Sequence, residues 1–351
     1  MSTAPTGEDW HDLVDLRSPT EDRNPRSGDI DLLGTTELVR LICAEDRVVV
    51  DAVAAVTDAV AAVVDLAVAA IRAGGRVHYV GSGTSGRLGV LDAVELLPTF
   101  GVGDEWFVAH LAGGAGAMMQ AVEGAEDDRA LGGHDAAGVR AGDLVFGIAA
   151  SGRTPYVAGA LAAGRSRGAR TALLSANPHA VLAAEVDVAV LVDTGPEVVT
   201  GSTRMKAATA QKMVLNTFST ATLVRLGRTY SNLMIDVRAT NAKLRARTVR
   251  MLVQATALDA ARCEAMLDAA DQEVRTSLVA LLAGTDPATA RAALVVAADP
   301  ARDHDRSGVR TAVAALTEDA VPEDAVPGPA GRSGARVGCA HAEAPPRGPV
   351  R

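Results

Sequence analysis

The chain has 351 residues, 48% of them hydrophobic, so it can bury a sizeable core and is long enough for two domains. Its 34 basic and 43 acidic side chains leave a net charge of -9, and only 3% of residues are aromatic. That excludes a basic footprint for nucleic-acid phosphates and a stacking platform for bases. A small anion remains admissible, because a few backbone N–H groups can hold one phosphate whatever the overall charge.

The opening stretch, MSTAPTGEDWHDL, lacks a basic segment followed by an apolar one, so no signal peptide is expected. Residues 1–50 read as a polar arm containing Pro19 and Pro25, then a helix from Thr36 onward. Val48–Ile71 is the most hydrophobic segment. Asp51, Asp58 and Asp65 recur in it every seventh residue, which predicts one amphipathic helix with a charged stripe rather than a membrane span. From Arg76 the texture alternates. Strands are expected at Arg76–Gly81, Trp106–His110, Asp143–Ala149, Arg170–Ser175 and Val186–Val192. Helices are expected at Ser85–Leu97 (stopping before Pro98), Ala115–Glu123, Thr154–Arg167 and Ser202–Leu226. His78 reads as a half-buried strand residue. The alternation predicts an α/β fold, a parallel sheet sandwiched by helices, over 51–240. Residues 241–317 carry only helical patterns, broken near Asp286–Pro287 and Asp299–Pro300, and read as a small C-terminal α-helical domain. Residues 318–351 are rich in Pro and Gly and read as a disordered tail.

Three loops carry candidate chemistry. VGSGTSGRLG (80–89) follows a strand, and Ser82, Gly83, Thr84 and Ser85 there would cradle a phosphate at a helix start. It lacks the GK[ST] of a Walker loop. It matches the spacing of a dinucleotide fingerprint, but no acidic residue ends the second strand. GIAASGRTPY (147–156) repeats the pattern with Ser151, Gly152 and Thr154, and two such loops at the carboxyl ends of parallel strands converge on one crevice. In VVTGSTRMKAATAQK (198–212), Ser202 and Thr203 open the predicted long helix, with Arg204 and Lys206 in its first turn. Cations there oppose the helix dipole, which calls for an anion or a carboxylate partner. Cys43, Cys263 and Cys339 are too far apart for metal-ligand spacing or a disulfide framework and suit a reducing cytoplasm; no metal or cofactor is expected.

GSGTSGR and AASGRT are similar to the ligand loops of the sugar isomerase (SIS) domain, which binds phosphosugars. The longer strings GSGTSGRLGVLDAVELLPTFGV, AVEGAEDD, GIAASGRTPYV, EVVTGSTRMKAATAQKMVLN and SNLMIDVRATNAKLRAR, with the early TEDRN and EDR, resemble the N-acetylmuramic acid 6-phosphate etherase family over roughly residues 16–300. The resemblance implies a SIS-type α/β/α fold and a lyase that releases D-lactate from N-acetylmuramate 6-phosphate and leaves N-acetylglucosamine 6-phosphate. It implies elimination followed by hydration, with Glu95 as proton donor, Glu126 as a further acid/base residue, and no cofactor. It further implies a role in cell-wall amino-sugar recycling or catabolism. Val94, Leu96, Leu97 and Phe100 stand where the family usually has Ser, Cys, Pro and Tyr, making the surroundings of Glu95 more apolar. An acid there needs a raised pKa. The ten residues from Ser85 to Glu95 span about 15 Å of helix, longer than a hexose phosphate between phosphorus and C3, so a homodimer with the site near its interface is expected. The other readings of the same fold are a non-catalytic sugar-phosphate regulator and a sugar-phosphate isomerase. No nucleic-acid or membrane partner is expected.

Overall fold

The computed structural model describes residues 18–237, 241–298 and 307–318. The Asp299–Pro300 break and all but the first residue of the expected tail lie outside them.

In chain order the elements are α1 (Thr35–Ala54), α2 (Thr57–Arg72), β1 (Val77–Gly81), α3 (Gly83–Phe100), β2 (Phe107–Leu111), α4 (Arg129–Asp135), β3 (Leu144–Ile148), α5 (Pro155–Ser166), β4 (Arg170–Ser175), β5 (Val188–Leu191) and α6 (Lys206–Arg225). The five strands form one parallel sheet in the order β2-β1-β3-β4-β5. β1 and β3 are buried along their whole length, as strands covered on both faces must be. Tyr79, Phe107, Phe146 and Phe218 meet on the face covered by α2, α3 and α6, with ring centroids 5.0–6.4 Å apart. Val80, Val145 and Leu173 pack on the opposite face against Tyr156, Val157 and Leu161 of α5. On that second face His78 is fully buried rather than half-buried: its Nε2 lies 3.2 Å from Asp143 Oδ2 and its Nδ1 3.0 Å from His110 Nε2. Burial holds both imidazoles below their ordinary pKa, His110 at about 4.

After a short hairpin, β6 (Thr229–Tyr230) and β7 (Leu233–Met234), come α7 (Ala242–Thr256), α8 (Ala260–Ala269), α9 (Val274–Ala283), α10 (Pro287–Ala297) and α11 (Val309–Glu318). They close on a separate core that includes Leu252, Cys263, Leu267, Leu278 and Val309.

Several predicted elements differ. Val48–Ile71 is not one helix: α1 and α2 meet at a bend of 59°, although Asp51, Asp58 and Asp65 are all exposed as expected. Among the described residues no single helix is long and apolar enough to cross a membrane. α3 does not stop before Pro98 but runs to Phe100 and ends on Gly101, whose left-handed φ of 65° terminates it. Pro98 deletes only the bond to the carbonyl of Val94, an exposed residue, so water can replace it. Residues 115–123 are not helical beyond a single turn at Ala115–Met118. α6 begins at Lys206, not Ser202.

The N-terminal arm is locked by one buried charge cluster. Lys206, with no exposed surface, places its Nζ 2.9 Å from Glu45 Oε2 on α1. The same carboxylate accepts Asn24 Nδ2 at 2.7 Å and a fork from Arg26. Asn24 also reaches the carbonyl of Pro196, and Ser27 Oγ that of Val198, at 3.2 and 2.7 Å. The Arg26 fork, helped by Lys206 and Asn24 against burial, holds the Glu45 carboxyl at about 2, below its ordinary 4.5. A lowered carboxylate pKa contributes stability that is present above pH 4.5 and lost as pH falls toward 2. We expect this pair to supply about 3 kcal/mol of the loss across that window. Glu45→Gln, which strands the Lys206 charge, should cost about 3–5 kcal/mol at pH 7 and flatten that acid slope; urea denaturation at several pH values checks both.

Candidate active site

The sheet order reverses at the β1/β3 boundary. The chain leaves β1 for α3 and returns to β2 on one side; it leaves β3 for α5 and returns to β4 on the other. The two outgoing loops therefore part at the carboxyl ends of β1 and β3, the place where such sheets open a ligand crevice.

The first loop is set by close approach. A Cβ on Gly86 would sit 2.4 Å from the carbonyl oxygen of Gly81, so only glycine lets α3 start this near β1. Ser82 is extended, and its side chain caps nothing, which leaves the first N–H groups of α3 to a ligand. Ser82 Oγ lies 3.4 Å from Glu126 Oε2. Thr84 is half-buried and Gly83 exposed. Ser85 departs from expectation: it is buried and donates its hydroxyl to Gln211 Oε1 of α6 at 3.0 Å, so its polar atom faces the helix packing rather than the loop.

In the second loop Gly152 takes φ 69°, and a Cβ there would lie 2.2 Å from that of Ala180. Ser175 Oγ and Asn177 Nδ2 hold the turn by donating to the carbonyls of Ala150 and Ser151. The hydroxyls of Ser151 and Thr154 are half-buried, and Thr154, at the start of α5, leaves that helix uncapped. Glu126 sits between the two loops: its carboxylate faces Ser82, and its carbonyl accepts the N–H of Tyr156 at 3.0 Å.

The third loop is different. Glu197, fully buried, accepts the backbone N–H groups of Lys206 and Ala207 at 3.0 and 2.9 Å, so the N-terminus of α6 already holds a carboxylate. The Lys206 amine is spent on Glu45 and does not reach the crevice side as a free cation. The carboxylate-partner alternative is thus the one realised. Ser202 and Thr203 are half-buried in the turn before the helix, and Arg204 is exposed.

Glu95 lies in the fourth turn of α3, exposed, and Thr99 Oγ1 donates to its carbonyl at 2.9 Å. Among the described residues nothing fully covers Val94 and Leu97, two of the apolar side chains expected around it. Leu91, Val94 and Leu97 beside it are 48%, 64% and 58% exposed. One turn before Glu95, buried Asp92 accepts Tyr79 Oη, Asn216 Nδ2 and Ser219 Oγ at 2.8, 2.7 and 3.2 Å, which ties α3 to β1 and α6; burial raises its pKa. The sequence reading missed Glu45, Asp92, Glu197 and Gln211, whose partners lie 9 to 161 residues away, beyond any local pattern. Among the described residues no group of His, Cys, Asp or Glu is arranged to hold a metal.

The fold and its Ser/Thr/Gly loops define a SIS-domain protein. The SIS domain model matches residues 116–221, and the model of the glucokinase regulatory protein N-terminal SIS domain matches 59–165. The solved structure of a putative phosphosugar isomerase from Bacteroides fragilis is similar over 55% of this chain and 91% of its own, at 24% identity and a TM-score of 0.43. The chain belongs to the N-acetylmuramic acid 6-phosphate etherase family. Relatives of that name from Thermobifida fusca and Pectobacterium atrosepticum are 55% and 50% identical over 76% and 78% of this chain, and 88% and 90% of their own.

Glu197→Ala leaves two buried N–H groups without an acceptor and should cost about 2–4 kcal/mol of stability. Arg204→Ala, at an exposed position, should stay within about 0.5 kcal/mol. Parallel urea titrations of the two variants separate these outcomes.

Proposed function

We propose that this chain cleaves the D-lactyl ether of N-acetylmuramate 6-phosphate, with Glu95 and Glu126 as its acid/base pair. The observation that carries the reading is family membership at 55% identity, together with the presence of both glutamates in the chain, Glu126 beside Ser82 of the first loop. Neither a regulator that only binds sugar phosphate nor an isomerase, which protonates no ether oxygen, needs both.

The chemistry explains the residue types. In the open-chain sugar the C1 aldehyde acidifies the C2 proton. A base removes that proton, the C3–O bond to lactate breaks, and an acid protonates the departing oxygen. Water then adds at C3 and a proton returns to C2, giving N-acetylglucosamine 6-phosphate and D-lactate. Glu95 is the acid; Glu126 serves as base or activates the water. The phosphate belongs with Ser151, Gly152 and Thr154, because the Glu126 carboxylate beside Ser82 repels a second anion. Ser82, Gly83 and Thr84 then face the sugar, and Ser202 and Thr203 border it. Ser85 supports this loop through Gln211.

The site is completed in a homodimer. α3 runs unbroken from Gly83 to Phe100, so Ser85 and Glu95 lie about 15 Å apart along its axis. Leu91, Val94 and Leu97 form an exposed apolar strip with Glu95 at its edge, and a second copy covering it would supply the dry surroundings an acid carboxyl needs. Division into an arm (1–50), a phosphosugar domain (51–240), a helical domain (241–317) and a tail (318–351) fits this scheme. The unpaired thiols of Cys43 and Cys263 suit a reducing cytoplasm, where the reaction would serve peptidoglycan recycling and amino-sugar metabolism.

Incubation with N-acetylmuramate 6-phosphate should release D-lactate, read by a lactate dehydrogenase assay. Glu95→Gln should lower turnover by about 10²–10⁴-fold with sugar-phosphate binding retained; undiminished lactate release would overturn the acid assignment. Val94→Asp combined with Leu97→Asp should yield a monomer by light scattering and the same loss of turnover. Full activity in a proven monomer would remove the dimer from the mechanism.

A further inference from the structure

We propose that Arg87 determines specificity in this site by taking the carboxylate of the substrate's lactyl group. The inference rests on the etherase reading. The residues that carry it surround a cleft of about 170 Å³ between the first loop and the segment that bears Glu126. Ser82, Gly83, Arg87, Ala117, Val122 and Glu126 line it.

Arg87 lies one turn into α3, half-buried. Its Nε donates to the carbonyl of Ala117 at 2.9 Å and its Nη2 to that of Gln120 at 3.4 Å. These bonds aim the guanidinium into the cleft and fix the segment leading to Glu126. Both acceptors are neutral carbonyls, and among the described residues no carboxylate pairs with Arg87. A guanidinium has five N–H donors in a planar fork suited to a carboxylate, and more than half remain after these two bonds. It is also the one cation in the cleft lining; Glu123 and Glu126 are the other charges.

The substrate carries two anionic groups at opposite ends. If the phosphate occupies the Ser151 loop, the lactyl carboxylate on C3 comes to the acid/base glutamates. Unpaired there, it would be repelled. A single guanidinium beside Glu126 cancels that repulsion, and the small side chains of Ala112, Ala117 and Ala121 leave room for the lactyl methyl. The product N-acetylglucosamine 6-phosphate has no such carboxylate, so its binding should be indifferent to Arg87.

That difference separates recognition from a merely structural role. In a Glu95→Gln background, which holds the substrate uncleaved, calorimetry compares N-acetylmuramate 6-phosphate with N-acetylglucosamine 6-phosphate. Arg87→Ala should weaken the first at least tenfold and the second less than twofold, and Arg87→Lys should recover part of the loss. Equal weakening of both ligands, or no change in either, would overturn the proposal. If Arg87→Ala does not fold, Arg87→Lys and Arg87→Gln, checked by circular dichroism, carry the same comparison. Failure of the parent protein to release D-lactate would count against the etherase reading alone, because the two binding constants are measured without turnover.

Discussion

The contact on which the rest depends is the buried pair between Glu45 and Lys206. Taking either charge alone out of water costs several kcal/mol, so each requires the other in place. Glu45 belongs to α1 and Lys206 opens α6, and the same carboxylate gathers Asn24 and Arg26 from the arm. Asn24 and Ser27 in turn bond the backbone at Pro196 and Val198. A segment remote in sequence is thereby made a wall of the third loop. Glu197 closes that loop from within by capping α6, so the turn that holds Ser202 and Thr203 is fixed from two directions.

Asp92 does for α3 what Glu45 does for the arm. Its three acceptor bonds to Tyr79, Asn216 and Ser219 fix the rotation of α3 about its own axis. With Asp92 and Leu96 turned to the core, residues 91, 94, 95 and 98 must face outward by the 3.6-residue period. The exposure of Glu95 and of its apolar neighbours is thus imposed by a buried hydrogen-bond hub one turn away. The apolar strip bordering Glu95 is left open by the fold's own constraint, and it is the face that the proposed dimer would cover.

The strands and the first two loops were legible in the sequence because their signals are local: short apolar runs, then Gly, Ser and Thr at a helix start. Where the reading failed, a distant partner had overridden a local rule. Ser202 looked like the start of a long helix, yet the helix begins at Lys206, where Glu197 reaches forward to the N–H groups of Lys206 and Ala207. Lys206 looked like an anion receptor because a cation at a helix start wants one; the anion came from α1, 161 residues away. Ser85 matched a cradle, but Gln211 on α6 claims its hydroxyl. Pro98 looked like a stop, but in the last turn and beside the exposed Val94 it costs one bond that water replaces.

The acidic balance of the chain acquires a meaning at the crevice. A ligand with a phosphate and a carboxylate approaches a protein of net charge -9 against a repulsive field. The proposed site would meet it mainly with neutral donors: the uncapped starts of α3 and α5 and the hydroxyls of Ser82, Ser151 and Thr154. Such groups bind an anion without adding a mobile positive charge. The other basic groups of the loops differ in setting: Lys206 is neutralised by Glu45, Arg204 is left to solvent and Arg153 is half-buried between Gly152 and Thr154. In the cleft lined by Glu126 the one guanidinium, that of Arg87, is therefore the group proposed to discriminate among ligands by charge.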